Sequence, residues 1–147
     1  MLKTGIYAPE AEAKDQTGQL HRLSDYRGRW VILYFYPRDN TPGCTKEACA
    51  FRDKYPEFQE LETVVLGVSK DSVVSHEKFA QEFSLPFILL SDDDHKIVKD
   101  YGAGGLFSRI SYLIDPSGRI AKVYDDVDPL EHAAEVLRDL ADFQAKT

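Results

Sequence analysis

Two cysteine thiols, five positions apart, are the residues of this chain best suited to covalent chemistry. Cys44 and Cys49 lie in the run YPRDNTPGCTKEAC, which directly follows the apolar stretch WVILYF. A thiolate is the nucleophilic form of cysteine, and it is favoured near positive charge or at the N-terminus of a helix. A nucleophilic role for either thiol therefore depends on where the helix around it begins.

The residues before Cys44 predict that it lies in the first turn of a helix. Residues 30–36 form a continuous apolar run, as expected of a strand that is buried on both faces. Thr41 suits the N-cap and Pro42 suits the first helical position, so a helix should begin there. Unpaired backbone N–H groups give this turn positive partial charge, which favours a thiolate at Cys44.

The rest of the chain alternates strands with helices, which predicts an α/β fold with a mixed central sheet flanked by helices. Two short strands around 16–18 should form an N-terminal β-hairpin, and Pro56 should break or kink the first helix. We expect residues 1–147 to form one domain. Further strands are predicted at 63–69, 87–90, 110–114 and 120–124, and further helices from Asp71 or Ser72, from Asp93 and from Asp128.

Composition excludes several classes of protein. The chain has 147 residues and a formal charge of −7, so a nucleic-acid binder is not expected. Its longest apolar run is too short to cross a bilayer, and its first nine residues lack an apolar segment of signal-peptide length. Two cysteines do not make a disulfide scaffold. We therefore expect a cytoplasmic protein that binds neither membranes nor nucleic acid.

The pattern Pro37-x-x-x-Thr41-x-x-Cys44 resembles the active-site signature of peroxiredoxins, which are thiol peroxidases with a thioredoxin-like fold. A second cysteine five residues on resembles the peroxiredoxin Q, or bacterioferritin comigratory protein, branch of that family. Supporting matches at 39–53, 67–71 and 109–115 extend the resemblance over nearly the whole chain. Segment 103–108 departs from it, because many relatives have a longer segment there.

The resemblance implies a role for each residue of the signature. Cys44 would be the peroxidatic nucleophile and Cys49 the resolving thiol, which together form an intrachain disulfide. Thr41 would hydrogen-bond the peroxide and the thiolate, Arg109 would be the active-site arginine, and Pro37 would shield the pocket. Hydrogen peroxide and organic hydroperoxides would be substrates, thioredoxin the reductant, and no cofactor or metal is implied. A resolving cysteine in the same helix favours a monomer.

Two other functions remain open at this point. A thioredoxin-type disulfide oxidoreductase usually has two residues between its cysteines, whereas four separate Cys44 from Cys49. A redox-switch or holdase protein would use the thiol as a sensor. A cysteine–histidine hydrolase is disfavoured, because no histidine has a position tied to Cys44.

Several polar residues receive plain structural interpretations. Glu47 is expected to be a favourable carboxylate near the start of its helix, and residues 92–94 a solvated helix start. Four histidines lack metal-ligand spacing and are expected at the surface: His21, His76, His95 and His132.

The spacing of the cysteines also has a geometric consequence. In an intact α-helix their Cα atoms would be about 8.6 Å apart. A disulfide needs Cα atoms within about 7 Å. Oxidation of Cys44 and Cys49 to a disulfide should therefore open the helix from residue 41 to about residue 51.

Overall fold

A seven-stranded mixed sheet forms the centre of the computed structural model, which describes residues 1–103 and 109–146. Its strands lie in the order β2-β1-β5-β4-β3-β6-β7, and β3, β4 and β5 are mutually parallel while all other neighbours are antiparallel. In chain order the strands β1 to β7 are Glu12–Lys14, Leu20–Arg22, Trp30–Phe35, Thr63–Ser69, Ile88–Ser91, Ser111–Ile114 and Ile120–Tyr124. The predicted mixed α/β architecture and the N-terminal hairpin are confirmed.

Five α-helices flank the sheet in the described part of the chain, besides a 3-10 helix at Leu23–Tyr26. In chain order α1 to α5 are Pro42–Asp53, Tyr55–Glu60, Val73–Phe83, Lys96–Asp100 and His132–Ala145. Pro56 breaks the first predicted helix in two, because it lies in the first turn of α2, where its missing N–H costs no hydrogen bond. Ser72 caps α3 by accepting from the Ser75 N–H at 3.1 Å. The last helix begins four residues after Asp128. Within 1–103 and 109–146, no helix combines the length and hydropathy that a membrane span needs.

Both faces of β3 are buried, as its continuous apolar sequence predicts. Leu33 and Phe35 pack into the apolar cluster on one side of the sheet, whereas Ile32 and Tyr34 pack into the cluster on the other. The second cluster includes Cys44 together with buried side chains of α1, α2, α3 and α5. Because both faces of β3 are packed, the strand delivers the loop that follows it to a defined place at the edge of the sheet.

Gly67 in β4 allows α1 to dock closely on the sheet. It lies opposite Tyr34 in the parallel β3–β4 register, and a Cβ there would lie 2.9 Å from the Tyr34 ring. The ring thus crosses β4 and stacks on Phe51 of α1 with centroids 4.7 Å apart. Phe51 in turn packs on Phe58 of α2. This aromatic stack anchors the C-terminal half of α1.

The surface interpretation is wrong for two of the four histidines. His76 is fully buried in α3, and His132 is 1% exposed at the start of α5. His132 Nε2 lies 2.8 Å from Ser111 Oγ and its Nδ1 lies 3.1 Å from Glu135, an arrangement that suits a neutral ring. Burial lowers the pKa of His132. His21 is half-buried, whereas His95 is exposed as expected.

Asp92 also departs from its predicted solvated position. Asp93 and Asp94 are exposed, but Asp92 is 1% exposed. Its two carboxylate oxygens accept the N–H groups of Ile97 and Val98 at 3.0 and 2.8 Å. Burial raises the pKa of Asp92, and the two backbone hydrogen bonds oppose that rise. The acidic run therefore contributes a buried cap for α4 rather than only a charged surface.

Candidate active site

Cys44 is the third residue of α1, in the first turn as predicted. Thr41 is the N-cap, with an extended backbone at φ −86° and ψ 155°, and Pro42 is the first helical residue. The Cys44 side chain is 2% exposed, while Cys49 is half-buried, and neither is in a disulfide. The start of a helix at the carboxyl end of a central parallel strand thus holds the more buried thiol.

Arg109 reaches Cys44 because β6 runs antiparallel to β3. The N-terminal end of β6 therefore meets the C-terminal end of β3, where the Phe35 N–H donates to the Ile110 carbonyl at 2.8 Å. Arg109 Nη2 donates to Cys44 Sγ at 3.5 Å, and Nη1 donates to Glu47 Oε1 at 3.1 Å. One guanidinium fork therefore bridges the thiol and a carboxyl group.

Gly43 makes room for that guanidinium group. A Cβ at this position would lie 2.4 Å from Arg109 Nη2, closer than non-bonded atoms can approach. Sequence reasoning did not assign a role to Gly43, although it directly precedes Cys44. Its lack of a side chain lets Arg109 lie against the first turn of α1.

Glu47 is more than the favourable helix-start carboxylate that the sequence suggested. It lies in the middle of α1 and is fully buried, and no hydrogen-bond partner for its Oε2 is found among the described residues. Burial raises the pKa of Glu47 to about 8, against the opposing effect of Arg109. Since most Glu47 is then protonated at neutral pH, the positive charge of Arg109 remains available to Cys44.

A cavity of about 600 Å³ opens beside this group. Its lining combines apolar and polar side chains, among them Phe35, Pro37, Thr41, Gly43, Val68 and Arg109. Thr41 does not cap α1 through its side chain, because its hydroxyl donates to the Arg38 carbonyl at 3.3 Å. Residues 104–108, which make up most of the shortened segment, lie outside the described residues.

The structure brings four of the five predicted site residues to one place. Pro37, Thr41 and Arg109 line the cavity, and Cys44 contacts Arg109. Cys49 lies further along α1, half-buried against the core. Its separation from Cys44 within one continuous helix is the geometry that the sequence spacing predicted.

One cluster near the site has the side chains of a metal centre, but its spacing differs from that of metal ligands. Donor atoms of Asp39, Asp71 and His76 all lie within 4.8 Å of one another. However, Asp39 Oδ2 and His76 Nδ1 are 2.6 Å apart, a hydrogen-bond distance. Two ligands about 2.0–2.1 Å from a tetrahedral zinc ion would be roughly 3.3 Å apart.

Comparisons with known proteins agree in fold and in sequence. Residues 4–123 match the model of the AhpC/TSA family. The peroxiredoxin Bcp of Bacillus subtilis (strain 168) is 42% identical, with 99% of each chain covered. A solved structure of a cysteine-to-serine variant of PrxQ from Xylella fastidiosa has a TM-score of 0.92 at 32% identity and covers 98% of each chain. The bacterioferritin comigratory protein of Xanthomonas campestris, studied for alkyl peroxide reduction, has a TM-score of 0.89 at 28% identity and covers 96% of this chain and 99% of its own.

Glu47→Gln should change how the stability of the protein depends on pH. Because burial raises the pKa of Glu47 from 4.5 to about 8, its contribution to stability is complete below pH 4.5 and is lost as pH rises through 8. The free energy of unfolding of the wild type, measured with urea, should therefore fall relative to that of Glu47→Gln between these limits. The exposed Glu60→Gln variant is the control, and parallel profiles for wild type and Glu47→Gln would contradict the assignment.

Gly43→Ala should separate Arg109 from Cys44 without unfolding the protein. Alanine favours a helix over glycine by about 1 kcal/mol, while its Cβ displaces the flexible end of Arg109. In a Cys49→Ser background, ultraviolet thiolate absorbance at neutral pH should fall in Gly43→Ala and to the same extent in Arg109→Ala. Combining the two substitutions should add little, because both remove one contact. Additive losses would show that Gly43 acts through something other than Arg109.

Proposed function

Since this chain belongs to the AhpC/TSA family of thiol peroxidases, we propose that Cys44 is the nucleophile that attacks the peroxide. The observation that carries this assignment is the 3.5 Å contact between Cys44 Sγ and Arg109 Nη2 in the first turn of α1. A permanent cation and a helix N-terminus both favour the thiolate, which is the reactive form of cysteine. Cys49 has neither of these partners among the described residues.

The first step transfers one peroxide oxygen to sulfur. The Cys44 thiolate attacks that oxygen, the O–O bond breaks, and the other oxygen leaves with the bonding electrons and takes a proton to become water or an alcohol. Cys44 is oxidised to a sulfenic acid. Arg109 supports the step because its N–H groups can donate to sulfur and to the leaving oxygen as negative charge moves between them.

Pro37 and Thr41 complete the proposed substrate site. Both line the cavity beside Arg109, and Pro37 is half-buried there. The Thr41 hydroxyl makes only a long hydrogen bond, 3.3 Å to the Arg38 carbonyl, so it can turn towards a bound peroxide. Pro37 covers the site without a backbone N–H that would compete for the peroxide oxygens.

Resolution of the sulfenic acid is assigned to Cys49. Its thiolate attacks the Cys44 sulfur, the S–O bond breaks, and the hydroxide that leaves takes a proton to become water, so that an intrachain disulfide forms. Both cysteines lie in α1, so their Cα atoms must approach from about 8.6 Å to within about 7 Å. The first turns of α1 must therefore unwind before the bond forms.

The family indicates the class of reductant, and the two cysteines bear on the oligomeric state and the cellular compartment. Peroxiredoxins of this family take electrons from a thioredoxin-type dithiol, which restores both thiols. We assign thioredoxin itself to this role, with hydrogen peroxide and organic hydroperoxides as substrates. An intrachain disulfide needs no second subunit, so it supports a monomeric protein. We assign residues 1–147 to a single domain. Thiols that must return to the reduced state suit the cytoplasm.

The two alternative functions have less support. A disulfide oxidoreductase of the thioredoxin type needs a nucleophile exposed to protein disulfides, whereas Cys44 is 2% exposed in the reduced protein. A redox switch or holdase needs only slow oxidation, whereas an arginine that can donate both to sulfur and to a leaving oxygen suits rapid turnover of peroxide. Peroxide turnover with a thioredoxin system separates all three.

Replacing each cysteine by serine should divide the cycle into its two halves. Cys44→Ser should lose peroxide consumption, since no other described thiol lies beside Arg109. Cys49→Ser should reduce one equivalent of peroxide per chain, accumulate sulfenic acid, and fail to recycle with thioredoxin. Single-turnover peroxide consumption with sulfenic acid trapping measures both. Equal rates for the two variants would mean that the roles are wrong.

Oxidation to the disulfide should expose the backbone of the first turns of α1. Amide hydrogen exchange should accelerate between residues 43 and 52 in the oxidised protein, while α3 and α5 keep their protection and serve as internal references. Oxidised Cys49→Ser, which cannot form the bond, should retain a protected α1. Equal protection in both redox states, with the disulfide confirmed by mass, would refute the unwinding step.

A further inference from the structure

The loop between β3 and α1 is anchored by hydrogen bonds to α3 and to the turn after β4. Residues 36–41 carry Pro37 and Thr41 and end at the start of the helix that contains Cys44. Asp39, at the centre of this loop, is 9% exposed and turns its side chain towards α3. Its contacts decide where the loop lies.

Three side chains share the Asp39 carboxylate. The Tyr36 hydroxyl donates to Oδ1 at 2.6 Å. Oδ2 lies 2.8 Å from the Ser75 hydroxyl, which donates to it, and 2.6 Å from Nδ1 of His76. A buried carboxylate with this many partners is fixed in position, because moving it would break several of these hydrogen bonds at once.

The Asp39 backbone is anchored as well. Its N–H donates to Asp71 Oδ2 at 2.8 Å, and that oxygen also accepts from the Ser69 hydroxyl at 2.7 Å. The next residue, Asn40, has a left-handed backbone with φ 62°, and Thr41 then caps α1. Cys44 thus lies only five residues after Asp39, whose backbone and side chain are both held by hydrogen bonds.

Both ring nitrogens of the fully buried His76 face hydrogen-bond acceptors. Nε2 lies 3.0 Å from the Leu90 carbonyl oxygen, which can only accept, so Nε2 bears a hydrogen. Nδ1 lies 2.6 Å from the Asp39 carboxylate, which can also only accept when ionised. With Asp39 ionised, this geometry suits an imidazolium ring paired with that carboxylate.

The groups around His76 support that charge. Asp39 faces it from the loop after β3, Asp71 from the turn after β4, and the Leu90 carbonyl from β5. The Tyr36 hydroxyl is 3.5 Å from Nδ1. The two nearby carboxylates favour the cationic form of this imidazole, and no Lys or Arg among its described partners opposes them.

We propose that His76 is a positioning residue for the peroxidase reaction. Its doubly protonated ring holds Asp39, and Asp39 holds the 36–41 loop so that Thr41 faces the peroxide and Cys44 stays beside Arg109. The inference rests on the proposed roles of Cys44 and Thr41. His76 touches neither the peroxide nor the thiol and acts only through the loop.

The charge state of His76 gives a first test that needs no activity. Ring ¹⁵N chemical shifts of the reduced wild-type protein at neutral pH should show both His76 nitrogens protonated. A neutral ring that carries a hydrogen on Nε2 alone would overturn the proposal. Added Zn²⁺ should leave these signals unchanged, and replacement of the Nδ1 proton by zinc would also overturn it.

Two variants and a matched control test the positioning role. His76→Gln should slow the single-turnover reaction of Cys44 with hydrogen peroxide by about 10- to 10²-fold, the loss expected when reacting groups are misplaced by around 1 Å. His21→Gln breaks a similar histidine–carboxylate pair, 2.7 Å to Asp15 on the remote hairpin, and should react at the wild-type rate. Wild-type rates for a folded His76→Gln would overturn the proposal.

Asp39→Asn separates positioning from general stability. An asparagine amide can donate to the unprotonated Nδ1 of a neutral His76 while its oxygen still accepts from Tyr36. The wild-type rate, corrected for thiolate content, should decline over whatever pH range the ¹⁵N signals show loss of the His76 Nδ1 proton. Asp39→Asn should lack this decline, and an identical decline in both would overturn the proposal. Reaction of Cys44→Ser with peroxide would instead refute the proposed function, and would leave the charge state of His76 as measured.

Discussion

Helix α1 must allow two arrangements of Cys44 and Cys49, one reduced and one disulfide-bonded, that cannot exist at the same time. In α1 as folded, Cys44 lies against Arg109 in the first turn, and Cys49 lies about 8.6 Å away along the same helix. A disulfide between them requires a shorter separation. The structure resolves this conflict by holding the two ends of α1 in different ways. Phe51 packs on Tyr34 and Phe58 within the aromatic core, whereas the first turn contributes only the small Cys44 side chain to that core and is contacted by Arg109.

Electrostatics at the first turn depend on burial as much as on charge. Arg109 lies between a thiol and a carboxyl group. An ionised Glu47 would offset much of the positive electrostatic potential that Arg109 creates at Cys44. Burial raises the pKa of Glu47 to about 8, so at neutral pH this neighbour is largely uncharged. The cation is therefore oriented by Glu47 and yet remains available to Cys44. A solvated glutamate at the same position would hold Arg109 while competing with the thiolate for it.

The other side of the active loop repeats this use of a buried ionisable pair. Asp39 and His76 meet at 2.6 Å with no exposure to solvent at the imidazole, and hydroxyl groups of Tyr36 and Ser75 satisfy the carboxylate. Such a pair is costly to bury, but its directional contacts specify one loop conformation. That loop conformation sets the positions of Pro37 and Thr41. Loop geometry at the cavity is thus decided in part by Asp39 and His76, which do not line the cavity.

The sequence alone determined the parts that depend on near neighbours along the chain: the strand 30–35, the helix start at Thr41 and Pro42, and the place of Cys44 in the first turn. Only the tertiary structure decided the rest, because those contacts join residues far apart in sequence. Arg109 reaches Cys44 across 65 positions through the antiparallel β3–β6 pairing. The sequence predicts His76 at the surface and Glu47 only as a helix-start carboxylate, yet the packing of α1 and α3 on the sheet buries both. Residue type predicts an average exposure, whereas packing decides the charge state and the partner of each buried group.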